Sequence, residues 1–195
     1  MQLSTFLSDF LLSIVSLYTA FRLNRLSSVS GLSGTYAFGI IGISAALGSI
    51  HFLGISALDP IYRFFVGLSG FVGVSLIGVA FFHLGIRKLV RNQLFLIIGI
   101  LFIGYIVFGY LVSFPIMSTL PGAVSMIIVI FVCIRKISKE NTAAIYGLAG
   151  AVLFILAGLV IGTKGSTGPI LNVDLFHIGL AIANYSLGTS ILKLK

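Results

Sequence analysis

The chain has 195 residues, of which 58% are hydrophobic and 8% charged, and its net charge is +8. A soluble domain carries about 25% charged residues, so this composition excludes a soluble globular enzyme, a disordered chain and a nucleic-acid-binding domain. The lipid bilayer remains as solvent; a spanning helix takes about 20 apolar residues, and seven such helices leave no room for a separate soluble domain.

In chain order, seven apolar runs stand out: 5–22, 35–57, 61–85, 93–112, 114–134, 141–162 and 168–191. The first is not read as a cleaved signal peptide, because no Lys or Arg precedes it while Arg22 and Arg25 follow it. The second loop holds Asp59 and the third Arg87, Lys88 and Arg91. Arg135, Lys136 and Lys139 separate runs five and six, and Lys193 and Lys195 close the chain. Every alternate connection is therefore basic, and only Arg63 and Lys164 fall on the other side. The excess of Lys and Arg in cytoplasmic loops predicts an N-terminus outside and a C-terminus in the cytoplasm. The fold class expected is all-α, a single bundle of seven transmembrane helices. Strands are disfavoured because runs such as Leu94–Tyr105 are apolar on every face, whereas a membrane barrel alternates.

Several residues have simple structural roles. Cys133 is the one cysteine, so no intrachain disulfide is available, and it is expected to pack in a helix. Gly158 and Gly162 form a GxxxG pair, and Gly67, Gly70, Gly73 and Gly78 mark run three. These are expected to let helices approach closely. Pro115 and Pro121 predict a kink or a short first turn at the start of run five. Trp is absent, so Tyr62, Tyr110 and Tyr146 are the candidates for interfacial aromatics.

The ionisable residues inside the runs are the functional candidates, because charge in lipid is costly. They are Asp9, His51, His83, Asp174 and His177, with Asp59 and Arg63 at the mouth of the second loop. Projected on the topology above, Asp9, His51, Asp59, Asp174 and His177 fall in one layer near the outer face, and His83 alone lies near the inner one. Asp9, Ser13 and Ser16 share one face of the first helix; Ser44 and His51 share one in the second; Asp174, His177 and Asn184 share one in the seventh. Polar stripes of this kind face the bundle interior. Two imidazoles beside carboxylates suit Zn²⁺, a hydrogen-bonded network that stabilises packing, or a proton or ion path.

This arrangement resembles the CREST membrane hydrolases, which include the alkaline ceramidases, the progestin and adipoQ receptors and the Per1-like proteins. The carrying segments are Gly48-Ser49-Ile50-His51 and Asn172-Val173-Asp174-Leu175-Phe176-His177. The first is similar to the helix-two histidine site and the second to the later half of the helix-seven HxxxH motif. Val173 stands at the first histidine of that pair, and Leu47 stands at the family serine, with Ser44 and Ser49 nearby. Asp59 is a rough counterpart of the family aspartate, and Asp9 resembles an acidic residue at the start of helix one. The resemblance implies a zinc-dependent hydrolase of a lipid amide or ester. His51, His177 and Asp174 would hold the metal, while Asp9, Asp174 and Ser44 would serve catalysis.

Two other functions fit the same residues. A small transporter or proton-coupled carrier would use the Asp174, His177 and Asn184 stripe. A receptor-like relative would keep the fold without the metal. The bilayer, and a lipid substrate within it, are the expected partners. A retinal protein is disfavoured, since Lys193 and Lys195 lie at the end of run seven and not midway along it.

Overall fold

The computed structural model of the chain describes residues 2–112 and 119–194. Among these residues the chain forms seven helices, six of which are long and apolar enough to cross a membrane. They are α1 (Leu3–Asn24), α2 (Val29–Phe52), α3 (Ser56–Gly85), α4 (Arg91–Leu111), α5 (Leu120–Lys136), α6 (Asn141–Ile161) and α7 (Asn172–Lys193). Helices suit these runs because a helix satisfies its own backbone hydrogen bonds, so apolar side chains can cover every face.

The boundaries differ from the hydropathy runs in instructive places. Helix α2 begins at Val29, six residues before the apolar run. Ser28 caps it, its hydroxyl accepting the Gly31 amide at 3.1 Å. The small residues that follow are used for contact: a methyl on Gly34 would lie 2.7 Å from Leu23 Cδ1. Packing against α1 thus makes helix of a Ser/Gly-rich segment that hydropathy reads as loop. At the other end α2 stops at Phe52, and Gly54 turns the chain with φ +91°, a conformation that costs glycine little.

Pro121 lies in the first turn of α5, where proline is tolerated, so it produces a start and no kink. Pro115 lies outside the described residues. Ahead of α7, where run seven predicts more helix, the chain makes a two-stranded hairpin, β1 (Ser166–Thr167) with β2 (Ile170–Leu171). Gly168, at φ +61°, opens its tight turn.

Three helices contain π segments: Ser69–Gly73 in α3, Tyr105–Leu111 in α4 and Leu156–Ile161 in α6. Such bulges widen the local backbone and often adjoin functional sites.

The two ends of the bundle are built differently. Toward the end that carries Arg22, Arg25, Arg87, Arg91 and Lys136, the core is apolar and closed. Leu23, Phe38, Phe81, Val132, Leu187 and Ile191 are buried there. Serine hydroxyls tie helices together across this core: Ser33 donates to the Leu76 carbonyl and Ser190 to the Ala143 carbonyl, both at 2.8 Å. Cys133 is buried among these contacts, as expected. The α3 glycines behave as packing residues at three of four positions. Gly67 meets Tyr105, Gly73 meets Ile41 and Gly78 meets Ser125. Gly70 faces open space, and so does Gly158, while Gly162 ends α6 at φ +67°. The GxxxG pair of α6 is therefore not a packing motif. Its open face belongs to a cavity at the opposite end of the bundle.

Candidate functional site

Helix α1 turns a polar face inward. Its buried positions are 5, 8, 9, 12, 13, 16, 19, 20 and 23, the i, i+3, i+4 rhythm of one helical face. Five of the nine are Ser or Thr and one is Asp9. Helix α7 answers with buried Asp174, His177 and Asn184. The stripes read from the sequence on these two helices do face each other inside the bundle.

Where they meet, Ser8 is the hub. Its Oγ lies 3.2 Å from His177 Nδ1 and 3.2 Å from Asp174 Oδ1, and 3.1 Å from the Thr5 carbonyl. A hydroxyl has one proton to donate and lone pairs to accept with. With the proton on His177 Nδ1, the imidazole donates to Ser8, and Ser8 donates to Asp174 or to Thr5. The other ring nitrogen, Nε2, is then an acceptor, 3.6 Å from Asp9 Oδ1. That distance is beyond hydrogen-bond reach and within range of a charge interaction. Asp9 in turn lies against Gly48 of α2, where any side chain would collide with its carboxylate. Deeper in the same seam, Asn184 Nδ2 donates to Ser16 Oγ at 3.0 Å, and Ser13 donates to the Gly42 carbonyl at 2.9 Å.

His51 does not join this group. Its Nδ1 lies 2.7 Å from Asp59 Oδ1, and its ring stacks on Tyr62 with centroids 4.9 Å apart. Both members of the pair are partly exposed. The cause is angular. On α2, Gly48 meets Asp9 of α1 and Phe52, four residues on, lies beside His177 of α7, and His51 is one position off that row. Phe52 occupies the place expected for the imidazole, 6.5 Å from the His177 ring. His83, at the other end of α3, accepts the Leu89 amide at 2.8 Å and serves the α3–α4 turn.

The expected layer is thus two clusters, Ser8–Asp9–Asp174–His177 and His51–Asp59–Tyr62. Zinc needs three or four ligand atoms about 2.0–2.3 Å from one point. Among the described residues no group of three or more His, Cys, Asp or Glu side chains could hold a metal ion. His51 is directed to Asp59, Asp174 is engaged by Ser8, and Val173 offers no donor. The ligand set His51, His177 and Asp174 expected from the sequence is not assembled, and the donor set does not fit Zn²⁺.

Instead the structure holds a cavity of about 1080 Å³. Asp9, Ser44, Tyr62, His177 and Asn184 contribute its polar wall, and Val173 also lines it. Asp174, Ser8 and His51 do not. Of the expected catalytic residues, Asp9 and Ser44 therefore face the cavity, and Asp174 stands behind His177. Gln2, Ser69, Thr119 and Thr163 add polar groups, and the larger part of the wall is apolar, from Leu12, Ile41, Phe71, Met126, Phe154 and Leu159 among others. Glycine makes the room. Gly70 and Gly158 line the space, with nothing within 4 Å of where their side chains would begin. No Lys or Arg is among the described lining residues.

Sequence reading missed Ser8, Gly48 and the part played by Tyr62. Ser8 was detectable: it falls on the buried face of α1, one residue from the Asp9 row. Gly48 and Tyr62 carry no signal of this kind, since their roles come from neighbours on other helices.

The chain belongs to DUF6962, a family of unknown function, whose family model matches residues 4–195. No curated protein matches the chain, and no solved structure matches it.

Proposed function

We propose that this protein is a multi-pass membrane protein that binds a lipid-class molecule, its apolar body in the cavity and a polar group against Asp9 and His177. The proposed orientation has the N-terminus outside, from the basic connections, and places the cavity in the outer half of the bilayer. One observation carries the reading: a lipid-sized, largely apolar cavity with a single acid–imidazole pair in its wall. Ligand pockets are typically about 300–1,000 Å³, mostly apolar, with a few placed polar groups. The likeness to the CREST proteins supports a lipid-handling role at this end of helices one, two, three and seven. Without a fitting metal site, the receptor-like form of that likeness is favoured.

The test uses the open glycines. Leucine at 70 and 158 fills the cavity without meeting another residue at its first carbon. Wild-type protein in phosphatidylcholine nanodiscs is photolabelled with a diazirine-bearing long-chain alcohol, and the labelled peptides are mapped. Labelling of the cavity wall that falls several-fold in Gly70→Leu/Gly158→Leu supports the reading. Equal labelling of both proteins sinks it.

The Ser8 bridge favours a second reading, hydrolysis of a lipid ester or amide without a metal. Asp174 and Ser8 orient His177 as a carboxylate and a relay would orient a general base. His177 Nε2 would take a proton from water as the water oxygen attacks the carbonyl carbon. The proton would return to the departing alkoxide or amine. Fatty acid released from a long-chain ester in liposomes, and lost in His177→Gln, is the expected sign. Release that persists in His177→Gln rules this reading out.

A further inference from the structure

Hydroxyls on α1 and α2 mostly bond backbone carbonyls. Ser13 donates to Gly42, Ser33 to Leu76, Thr35 to Gly31 and Ser49 to Ala45, all at 2.8–3.0 Å. Ser44 of α2 does not. It is 7% exposed and lines the cavity, and its hydroxyl has no hydrogen-bond partner among the described residues. The unpartnered polar atoms of Thr5, Asn184 and Thr189 are sealed inside the protein, whereas the Ser44 hydroxyl is open to the cavity. A hydroxyl both donates and accepts, and one held in an apolar wall without a partner forfeits the hydrogen bonds that water gave it. Such a group marks a place for a polar atom of an occupant.

The depth of Ser44 follows from the helices. Gly48 of α2 meets the Asp9 carboxylate, and Ser44 lies one turn before Gly48, roughly 6 Å closer to the apolar core. One turn below the acid–imidazole pair, α1 and α7 present Leu12 and Leu180, which line the cavity and pack with Ala45, the neighbour of Ser44. On this side of the cavity, where α1, α2 and α7 meet, Ser44 is thus a hydroxyl set in an apolar level beneath the Asp9–His177 level. No Lys or Arg is among the described lining residues, so an anion at this depth would go unpaired. A neutral group suits the place.

We infer that Ser44 is a second recognition residue of the cavity and that the ligand is a long-chain amphiphile with two polar groups. One lies at Asp9 and His177; the other is a neutral acceptor oxygen about 6 Å farther along the chain, to which the Ser44 hydroxyl donates. This rests on the proposed lipid-binding reading and names its ligand class. A simple long-chain alcohol fills the upper position and leaves Ser44 without a partner. A chain with a second oxygen at the right spacing fills both.

The experiment compares two isomeric hydroxy ethers on the intact protein in phosphatidylcholine nanodiscs. Decyl 4-hydroxybutyl ether holds its ether oxygen about the rise of one helical turn from the hydroxyl. Its isomer, ethyl 12-hydroxydodecyl ether, has the same groups with the ether oxygen near the far end of the chain. Neither can be hydrolysed as an ester would be. Each competes with the diazirine-bearing alcohol, and the concentration that halves labelling of the cavity wall is read. The wild type is expected to favour the hydroxybutyl ether about fivefold, the effect of one hydrogen bond of about 1 kcal/mol. Ser44→Ala is expected to bind both isomers alike, as weakly as the wild type binds the hydroxydodecyl ether. Since Ser44 bonds no other described residue, Ser44→Ala is also expected to keep the wild-type Tm, which separates lost recognition from lost folding. Equal or absent competition by the two isomers in the wild type overturns the inference. So does a preference that survives in Ser44→Ala. If the label itself is equal in wild type and Gly70→Leu/Gly158→Leu, the lipid-binding reading fails and takes the inference with it.

Discussion

Ser8 does the most with the smallest side chain. One hydroxyl meets an imidazole nitrogen, a carboxylate oxygen and a backbone carbonyl, all at 3.1–3.2 Å. Removing it leaves His177 Nδ1 and Asp174 Oδ1 without their shared partner in a buried place, where an orphaned polar group costs about 1–3 kcal/mol. Ser8→Ala is expected to destabilise by that amount in chemical denaturation. His177 should also lose its fixed ring orientation, so that photolabelling by the alcohol probe falls although the cavity is unfilled. A purely structural role would lower stability and leave labelling intact. Gly48 makes the complementary test. A methyl group there overlaps the Asp9 carboxylate, which ends a flexible side chain and can swing away. Gly48→Ala is expected to cost little stability and to weaken cavity labelling by the long-chain alcohol probe, whose polar group is proposed to lie against Asp9. Unchanged labelling would show that Asp9 does not contact the ligand.

At the scale of the helix, glycine has opposite meanings at different positions. Gly188 of α7 touches Thr19 of α1 so closely that any side chain collides with it. Gly158 of α6 has open space. Gly188→Leu is therefore expected to be destabilising by several kcal/mol, as overpacking of a tight contact is. Gly158→Leu should be neutral or stabilising, since glycine is about 1 kcal/mol worse than alanine inside a helix. Thermal melts of the two variants in one detergent check the contrast. Equal losses would mean that the α6 face is not open. Ser28 gives a smaller, cleaner effect: Ser28→Ala removes the cap of α2 and should cost about 1 kcal/mol, read in the same melts.

For the whole molecule, the asymmetry of charge is the organising feature. The basic residues cluster at the end with the closed apolar core, and several lie over aromatic rings there. Arg22 is 5.6 Å from the Tyr18 ring centre, Arg25 is 4.6 Å from Phe21, and Arg135 is 5.5 Å from Phe131. Such stacking holds long cations at the rim. The proposed orientation predicts that, in a Cys133→Ala background, Lys139→Cys reacts with an impermeant thiol reagent only from the cytoplasmic side. Lys164→Cys should react only from outside. The reverse pattern would invert the assignment of both cavity and basic end.

Much of this was legible in one dimension. Seven hydropathy runs become seven helices because apolarity over about 20 residues is a local property that needs no partner. The inward faces of α1 and α7 were legible too, since a buried polar stripe repeats at helical spacing along a single element. What the runs do not contain is the rotation of one helix against the next. His51 and Phe52 are adjacent in sequence, but a helix turns about 100° per residue, so one reaches the cavity wall and the other is directed to Asp59. That single step directs His51 to Asp59 and leaves Phe52 beside His177. The open faces of Gly70 and Gly158 have the same origin: a glycine is a contact or a void according to which neighbour stands opposite. The sequence by itself determined the apolar helices and the inward polar faces of α1 and α7. The tertiary structure decided which polar residues meet, and that they border a space large enough for a lipid.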